Sequence, residues 1–299
     1  LGFLCFWAMK KIIYCITDGK MGHFRQSEGL AKALQQFKPN DYDIQVLPKF
    51  SLWQWFRSFG QCVKSIESNS IVIGAGHKTH FSLLYYKWKY ASKSIVIMKP
   101  SLPKSWFDYC IVPKHDGLSE QGNVLVTEGA MNALSLMPSD KEAQILILIG
   151  GPSSACEWQN EDIYEQLFYK LQCVDLDTKI ILSTSRRTPD DFIQNLPKEI
   201  VDKIALIDFK AVDASWLPEQ LLKSAEAWVT SESISMIYEA LSAGCIVKTI
   251  DVAKLKGKMM QNLDHLISTN RVNSNVAHFE RLNESSRIAE KLLKLGLQT

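Results

Sequence analysis

Several things this chain lacks narrow what it can be. It has no run of about 18 apolar residues, so no membrane-spanning helix is expected. It has no Cys-x-x-Cys pair. Its seven cysteines, at 5, 15, 62, 110, 156, 173 and 245, are odd in number and widely spaced. That argues against a disulfide framework and leaves zinc without an anchor, so the thiols are expected to be small buried hydrophobes in a reducing cytosol. Neither sign of charge dominates: 34 Lys and Arg against 32 Asp and Glu give a net +2, which is no basis for a nucleic-acid partner. The P-loop pattern Gly-x-x-x-x-Gly-Lys-Ser/Thr is absent, and so is the Gly-x-Ser-x-Gly elbow of the α/β-hydrolases. Gly74-Ala75-Gly76 starts a dinucleotide fingerprint but the third glycine is missing, which argues against a nicotinamide enzyme.

What is present is ordinary globular composition, 46% hydrophobic and 22% charged over 299 residues. That length suits two domains better than one core. At the start, Leu1 to Ala8 is apolar and precedes Met9-Lys10-Lys11. A basic pair after the apolar run is the reverse of a secretory signal. We therefore expect Met9 as the natural start, with a short membrane-touching segment as the competing reading.

Strand and helix alternate. Lys11–Ile16 reads as a β-run, followed by a helical pattern at Leu30, Ala33, Leu34 and Phe37 that stops before Pro39. Ile44–Leu47, Ile71–Ile73, Ile95–Met98, Tyr109–Val112 and Val124–Val126 read as further strands, with helices over Leu52–Ile66 and Phe81–Tyr90. The pattern breaks near Pro138 and restarts at Ile145–Ile149. Helix Asp162–Leu171, strands Lys179–Leu182 and Ile204–Ile207, helix Leu217–Ser224, strand Ala227–Thr230, helix Ser233–Ala243 and strand Ile246–Ile250 follow, and a long amphipathic helix is expected from about Val276 to Leu295. Near-continuous apolar strands separated by helices predict parallel sheets covered on both faces. The expected architecture is α/β: two doubly wound domains, 9–137 and 142–275, with 276–299 as a terminal helix crossing back to the first. Ligand loops in such sheets follow the carboxyl ends of strands, and the cleft between two domains is the default site.

Three strand-end loops in the second half have the chemistry of an anion site. Gly150-Gly151-Pro152-Ser153-Ser154 lets backbone approach a phosphate closely, since tight turns ahead of a helix present N–H groups. Ser183-Thr184-Ser185-Arg186-Arg187 adds hydroxyls and two guanidinium forks, which match phosphate oxygens in pairs. In Thr230-Ser231-Glu232-Ser233-Ile234-Ser235, hydroxyls crowd a helix start, with Ser235 and Glu239 four apart on one face. There Glu239 is a candidate acceptor for ribose hydroxyls. Plain turns and N-caps would use the same residue types. In the first half, His23 and Asp18 lie just past the first strand, each a candidate general base. His77, His80, His115 and Asp116 lie after other strands. The histidines lack metal-ligand spacing, so no metal is expected.

Thr17-Asp18-Gly19-Lys20-Met21-Gly22-His23 with Gln26, Gly74-Ala75-Gly76-His77-Lys78-Thr79, Val112-Pro113-Lys114-His115-Asp116 and Asn123 to Ala130, with the Ser183–Pro189 and Val229–Met236 loops and Glu239-Ala240-Leu241, occur in an order that resembles the mitochondrial fission (elongated mitochondria) protein-like family. The resemblance runs from about Lys11 to Gly257. One departure is Ala214 to Gln220, where many members carry Asn-Pro-Tyr. The bacterial members are regarded as glycosyltransferases, some linked to lipooligosaccharide outer core. The resemblance implies the GT-B arrangement of two Rossmann-like domains facing a cleft, with a nucleotide-sugar donor on the C-terminal one and an acceptor glycan or lipid-linked glycan on the N-terminal one.

It also implies no essential metal and no cofactor besides the nucleotide sugar. The donor residues would be Gly150, Gly151, Ser153, Ser185, Arg186, Arg187, Ser231, Ser233, Ser235 and Glu239, with His23 or Asp18 as base. Retaining GT-B enzymes often carry two Glu eight apart. Eight before Glu239 stands Ser231, so inversion is expected. Trp53 to Phe59 and Tyr85 to Tyr90 mix aromatics with cations, a composition suited either to helix packing or to peripheral contact with the inner membrane from the cytoplasm. A nucleotide-sugar epimerase of the same fold and a non-enzymatic membrane scaffold are the alternatives; a scaffold has no need of three adjacent donor loops.

Overall fold

The computed structural model describes residues 10–57, 61, 63–274 and 281–297. The apolar start with Met9, as well as Cys62 and the Ser58-Phe59 end of the first aromatic stretch, lie outside the described residues. The chain divides into two compact units, Leu1–Leu136 with Asn283–Thr299, and Met137–Leu282.

In unit 1 the elements run β1 (Lys11–Thr17), α1 (Met21–Phe37), β2 (Tyr42–Pro48), α2 (Leu52–Arg57), β3 (Ile71–Ala75), α3 (His80–Tyr90), β4 (Lys93–Ile97), β5 (Tyr109–Pro113) and β6 (Val124–Thr127). The six strands form one sheet, β2-β1-β3-β4-β5-β6, paired parallel throughout. Side chains alternate across it. Ile13, Cys15, Ile73, Ile95 and Ile111 pack on one face against Leu30, Ala33 and Leu34 of α1. Tyr14, Ile16, Val72, Val96 and Val112 pack on the other against Leu83 and Tyr86 of α3. Both faces of the central strands are dry, which is why those strands read as near-continuous apolar runs; the edge strand β2 leaves Asp43 and Val46 exposed.

Unit 2 contains β7 (Glu142–Leu148), α4 (Asn160–Gln172), β8 (Lys179–Ser183), α5 (Asp190–Gln194), α6 (Lys198–Val201), β9 (Ala205–Ile207), α7 (Trp216–Lys223), β10 (Ser224–Thr230), α8 (Ile234–Ala243), β11 (Ile246–Ile250) and α9 (Lys258–Ser268). Its sheet is parallel in the order β11-β10-β7-β8-β9. Each unit is thus a Rossmann-like doubly wound domain. The strand order reverses beside β1 in unit 1 and beside β7 in unit 2.

The last helix, α10 (Glu284–Lys294), belongs to unit 1. Ile288, Ala289 and Leu292 are fully buried in the cluster that holds Leu30 and Leu34. Burying one such side chain contributes about 1.5–3 kcal/mol, so this amphipathic face is what returns the chain end to the first domain. The helix is shorter than expected because Asn283 caps it, its side chain accepting from the Ser286 N–H; residues 275–280 lie outside the described residues. The helix expected over Leu52–Ile66 is also shorter. α2 packs only through Trp55, which is partly buried; 58–60 and 62 lie outside the described residues, and 64–67 are irregular. Cys15, Cys110 and Cys245 are buried free thiols as expected, but Cys156 is half-buried and Cys173 exposed. Burial pushes the Cys15 thiol up to about 12.

Candidate functional site

In unit 2 the loops after β7, β8 and β10 come together where the strand order reverses, the usual ligand position in such sheets. At the centre is Glu232, 1% exposed. Its Oε1 accepts from the Gly151 N–H at 2.9 Å, from the Ser233 hydroxyl at 2.8 Å and from Arg187 Nη2 at 3.3 Å. Arg187 also donates to Ser233 Oγ at 2.9 Å and, through Nη1, to the Gly151 carbonyl at 3.2 Å. A guanidinium has five donors, so one bond from Nη1 and two from Nη2 leave two for a ligand. Glu232 is buried while the Arg187 side chain is 42% exposed, so the pair fixes the guanidinium's position while leaving one side of it open to the cavity.

The two glycines are required by this packing. A Cβ on Gly150 would fall 1.8 Å from Glu232 Oε1, and one on Gly151 would fall 1.9 Å from the Arg187 carbonyl oxygen. Their N–H groups do not form the bare phosphate cradle the sequence suggests. Gly150 N–H donates to Thr230 Oγ1 at 2.8 Å and Gly151 N–H to Glu232. The pair instead lets the other two loops close over it.

Beside this network lies a cavity of about 670 Å³ lined by Ser185, Arg186, Arg187, Glu232, Ser233, Ile234, Ser235, Met236 and Met259. α8 starts at Ile234 without a side-chain cap, so the N–H groups and positive dipole end of its first turn are available there. Arg187 is balanced by Glu232. Arg186 is exposed and makes no ion pair among the described residues, so it and the helix end supply the cavity's net positive character. Glu232 Oε2 is buried and accepts no hydrogen bond. An unsatisfied buried acceptor is costly and calls for a donor.

The other expected residues divide. Ser185 supports its own loop, donating to the Gly150 carbonyl at 3.0 Å. Ser153 Oγ accepts from the Ala155 N–H in a local turn and does not line the cavity. Ser231 is 1% exposed and its hydroxyl accepts from the Val252 N–H, clamping β10 to β11 away from the cavity. Ser235 lines the cavity, but Glu239, half-buried one turn further along α8, does not. Glu232, in the same loop, is not among the residues the sequence pattern selects; a carboxylate placed directly at a strand end among hydroxyls is the signal that marks it.

In unit 1 the corresponding place holds Asp18 and His23. They are partners rather than rivals: Asp18 Oδ2 lies 3.1 Å from His23 Nδ1. The Asp18 side chain is 1% exposed and the His23 ring 20%. Burial pushes the Asp18 carboxyl up, but the Lys20 N–H, the His23 ring and the nearby charges outweigh it and hold it below the usual carboxylate range. An ionised Asp18 accepts from Nδ1–H, which leaves Nε2 as the basic nitrogen. The ring rests on Gly76 at the end of β3, where a Cβ would fall 2.6 Å from His23 Cε1 and where φ is 80°. His80 is a core residue, 3% exposed and edge-on to Phe107, with burial holding its pKa down. His77 is exposed, and His115 sits in the short turn Lys114–Asp116. Among the described residues no three His, Cys, Asp or Glu side chains are grouped to hold a metal, and no helix is long and apolar enough to cross a membrane.

Two Rossmann-like domains with polar loops at the strand-order reversal of each define the GT-B class of fold. The chain belongs to the mitochondrial fission ELM1 family, whose pattern it matches over residues 21–295. Among solved structures it is similar to the UDP-GlcNAc 2-epimerase of Neisseria meningitidis bound to UDP-GlcNAc, at 12% identity and TM-score 0.55 over 97% of this chain and 100% of that one. It is also similar to the UDP-GlcNAc 2-epimerase of Methanocaldococcus jannaschii, at 12% identity and TM-score 0.53 over 96% and 100%. At such identity the likeness is one of fold. No curated protein matches the chain.

Proposed function

We propose that the protein is a GT-B glycosyltransferase that moves a sugar from a nucleotide-sugar donor to a cell-envelope glycan or glycolipid, with inversion and without a metal, from the cytoplasmic side of the inner membrane. The observation that carries the reading is the pairing of Asp18 with His23 in one domain while the other holds a cationic cavity. His23 Nε2 takes the proton from an acceptor hydroxyl. The hydroxyl oxygen then bonds to the donor's anomeric carbon as the bond from that carbon to the diphosphate oxygen breaks. The leaving charge is met by Arg186, Arg187 and the α8 N-terminus, donors placed where charge develops. Glu232 positions Arg187 and Ser233 from beneath the cavity rather than touching the donor. Ser233 and Ser235 border the diphosphate, and Glu239 is at most an outer contact.

The two structural neighbours named above are epimerases, which favours a second reading: epimerisation of a nucleotide sugar on the same loops. A thermal-shift screen against UDP-, GDP-, CMP- and ADP-sugars identifies the donor, because a ligand at 100 times its dissociation constant adds about 2.7 kcal/mol. Release of nucleoside diphosphate only when an acceptor is added supports transfer. A changed sugar with the diphosphate linkage intact supports epimerisation. No shift with any nucleotide sugar contradicts both.

A further inference from the structure

Unit 1 carries an exposed aromatic face that neither polar site uses. All three exposed tryptophans among the described residues lie on it: Trp53 at 66%, Trp88 at 66% and Trp106 at 44%, with Phe56 at 62%. Ring contacts run along parts of it. Trp55 on the inner side of α2 meets Tyr85 of α3 at 6.3 Å, and one turn along α3 Trp88 meets Trp106 at 6.4 Å. That leaves Trp53 and Phe56 on the outer side of a helix that packs only through Trp55.

Cations are interleaved with the rings. Arg57 lies 5.0 Å over Trp53, Lys89 lies 5.3 Å over Tyr85, and Lys104 is in the same short turn as Trp106. Neither α2 nor α3 contains an acidic residue. Lys87 is neutralised by Asp108 at 3.2 Å, whereas Arg57, Lys89 and Lys104 have no carboxylate partner among the described residues. Water-facing tryptophans are costly unless something covers them. Tryptophan with unpaired Lys and Arg is the composition of a surface that lies in a bilayer interface, rings at headgroup depth and cations on anionic lipid.

The geometry points to this face as the surface by which unit 1 docks onto an anionic phospholipid bilayer. The inference deepens the reading of a membrane-borne acceptor and rests on it only for what the docked protein does. Its test uses no sugar, so the two fail separately.

The experiment is co-sedimentation of the full chain with phosphatidylcholine vesicles, with and without phosphatidylglycerol, at low and high salt. Binding is expected on the anionic vesicles and is expected to fall with salt. The variant Trp53→Ser/Phe56→Ser/Trp88→Ser is expected to bind at least about tenfold more weakly with an unchanged melting temperature, because it removes only exposed rings. Lys89→Glu/Lys104→Glu is expected to abolish the preference for phosphatidylglycerol, each lost cation costing about fivefold. Wild-type protein that stays in solution with both vesicles overturns the proposal and leaves the face to a protein partner. So does equal binding by the ring variant, or equal binding of wild type to neutral and anionic vesicles.

Discussion

The two domains put their polar residues in the same topological place and fill it differently. In unit 1 the reversal beside β1 holds an ionised carboxylate bonded to an imidazole, a pair that can accept a proton. In unit 2 the reversal beside β7 holds a guanidinium fixed by a buried carboxylate next to a helix N-terminus, a group that cannot take a proton at any useful pH but can hold a diphosphate. The fold supplies the place and the side chains decide the job. The glycines follow the same division. Gly76 admits one ring, while Gly150 and Gly151 admit a whole network from two other loops.

The largest effect is expected where the comparison is sharpest. His23→Ala should lower turnover by about 10²–10⁴-fold, the usual contribution of a general base. Asp18→Asn should give a loss of similar order, because the amide no longer selects the tautomer with a basic Nε2. Steady-state rates on the identified donor and acceptor check this. Normal turnover in both variants would remove unit 1 from the chemistry.

Next in size is a stability effect. Gly151→Ala drives a Cβ into the Arg187 carbonyl and should cost about 3 kcal/mol or more. Gly22→Ala, in the first turn of α1 with nothing within 4 Å of the added carbon, should stabilise by about 0.5–1 kcal/mol. Equal melting temperatures for the two would mean that the unit 2 loops are looser than described.

Much of this was legible in the sequence. The alternation of apolar strand and amphipathic helix marked every strand, because the central strands of each sheet are buried along most of their length. The strand-end loops were marked by Gly, Ser and Arg. What could not be read was which polar atoms bond to each other. Gly150-Gly151 looked like an anion cradle, but only coordinates show that Thr230 and Glu232 already hold its N–H groups. Glu239 drew attention by its helix spacing from Ser235, whereas Glu232, with no periodic signal, is the carboxylate at the cavity. Asp18 and His23, five residues apart across the strand-to-helix turn, read as alternatives until the turn brought them to 3.1 Å.

A smaller contrast concerns acid. Asp108 is pushed up by burial but held down by more, its bonds from Ser94 and the Lys87 charge; Glu120 is held down by Lys291; and Asp18 is held down as described. All three belong to unit 1; in unit 2 Asp213 is also held down, by the Ser215 hydroxyl and N–H, but it is exposed and those bonds stay within its own turn. A carboxyl whose folded pKa lies below its unfolded value of about 4 contributes stability that is complete above that value and is lost as pH falls through the folded pKa. Unit 1 should therefore lose amide-exchange protection below about pH 4 ahead of unit 2. Simultaneous loss in both units would show that these bonds do not set the acid limit.

The division of labour between the domains is tested most directly by calorimetric titration of the identified nucleotide sugar into Arg187→Ala and His23→Ala. Losing the Arg187 bonds should cost about 1.5–3 kcal/mol, at least tenfold in affinity. His23→Ala should bind the donor as the wild type does. Unchanged affinity in Arg187→Ala, or a comparable loss in His23→Ala, would contradict the account.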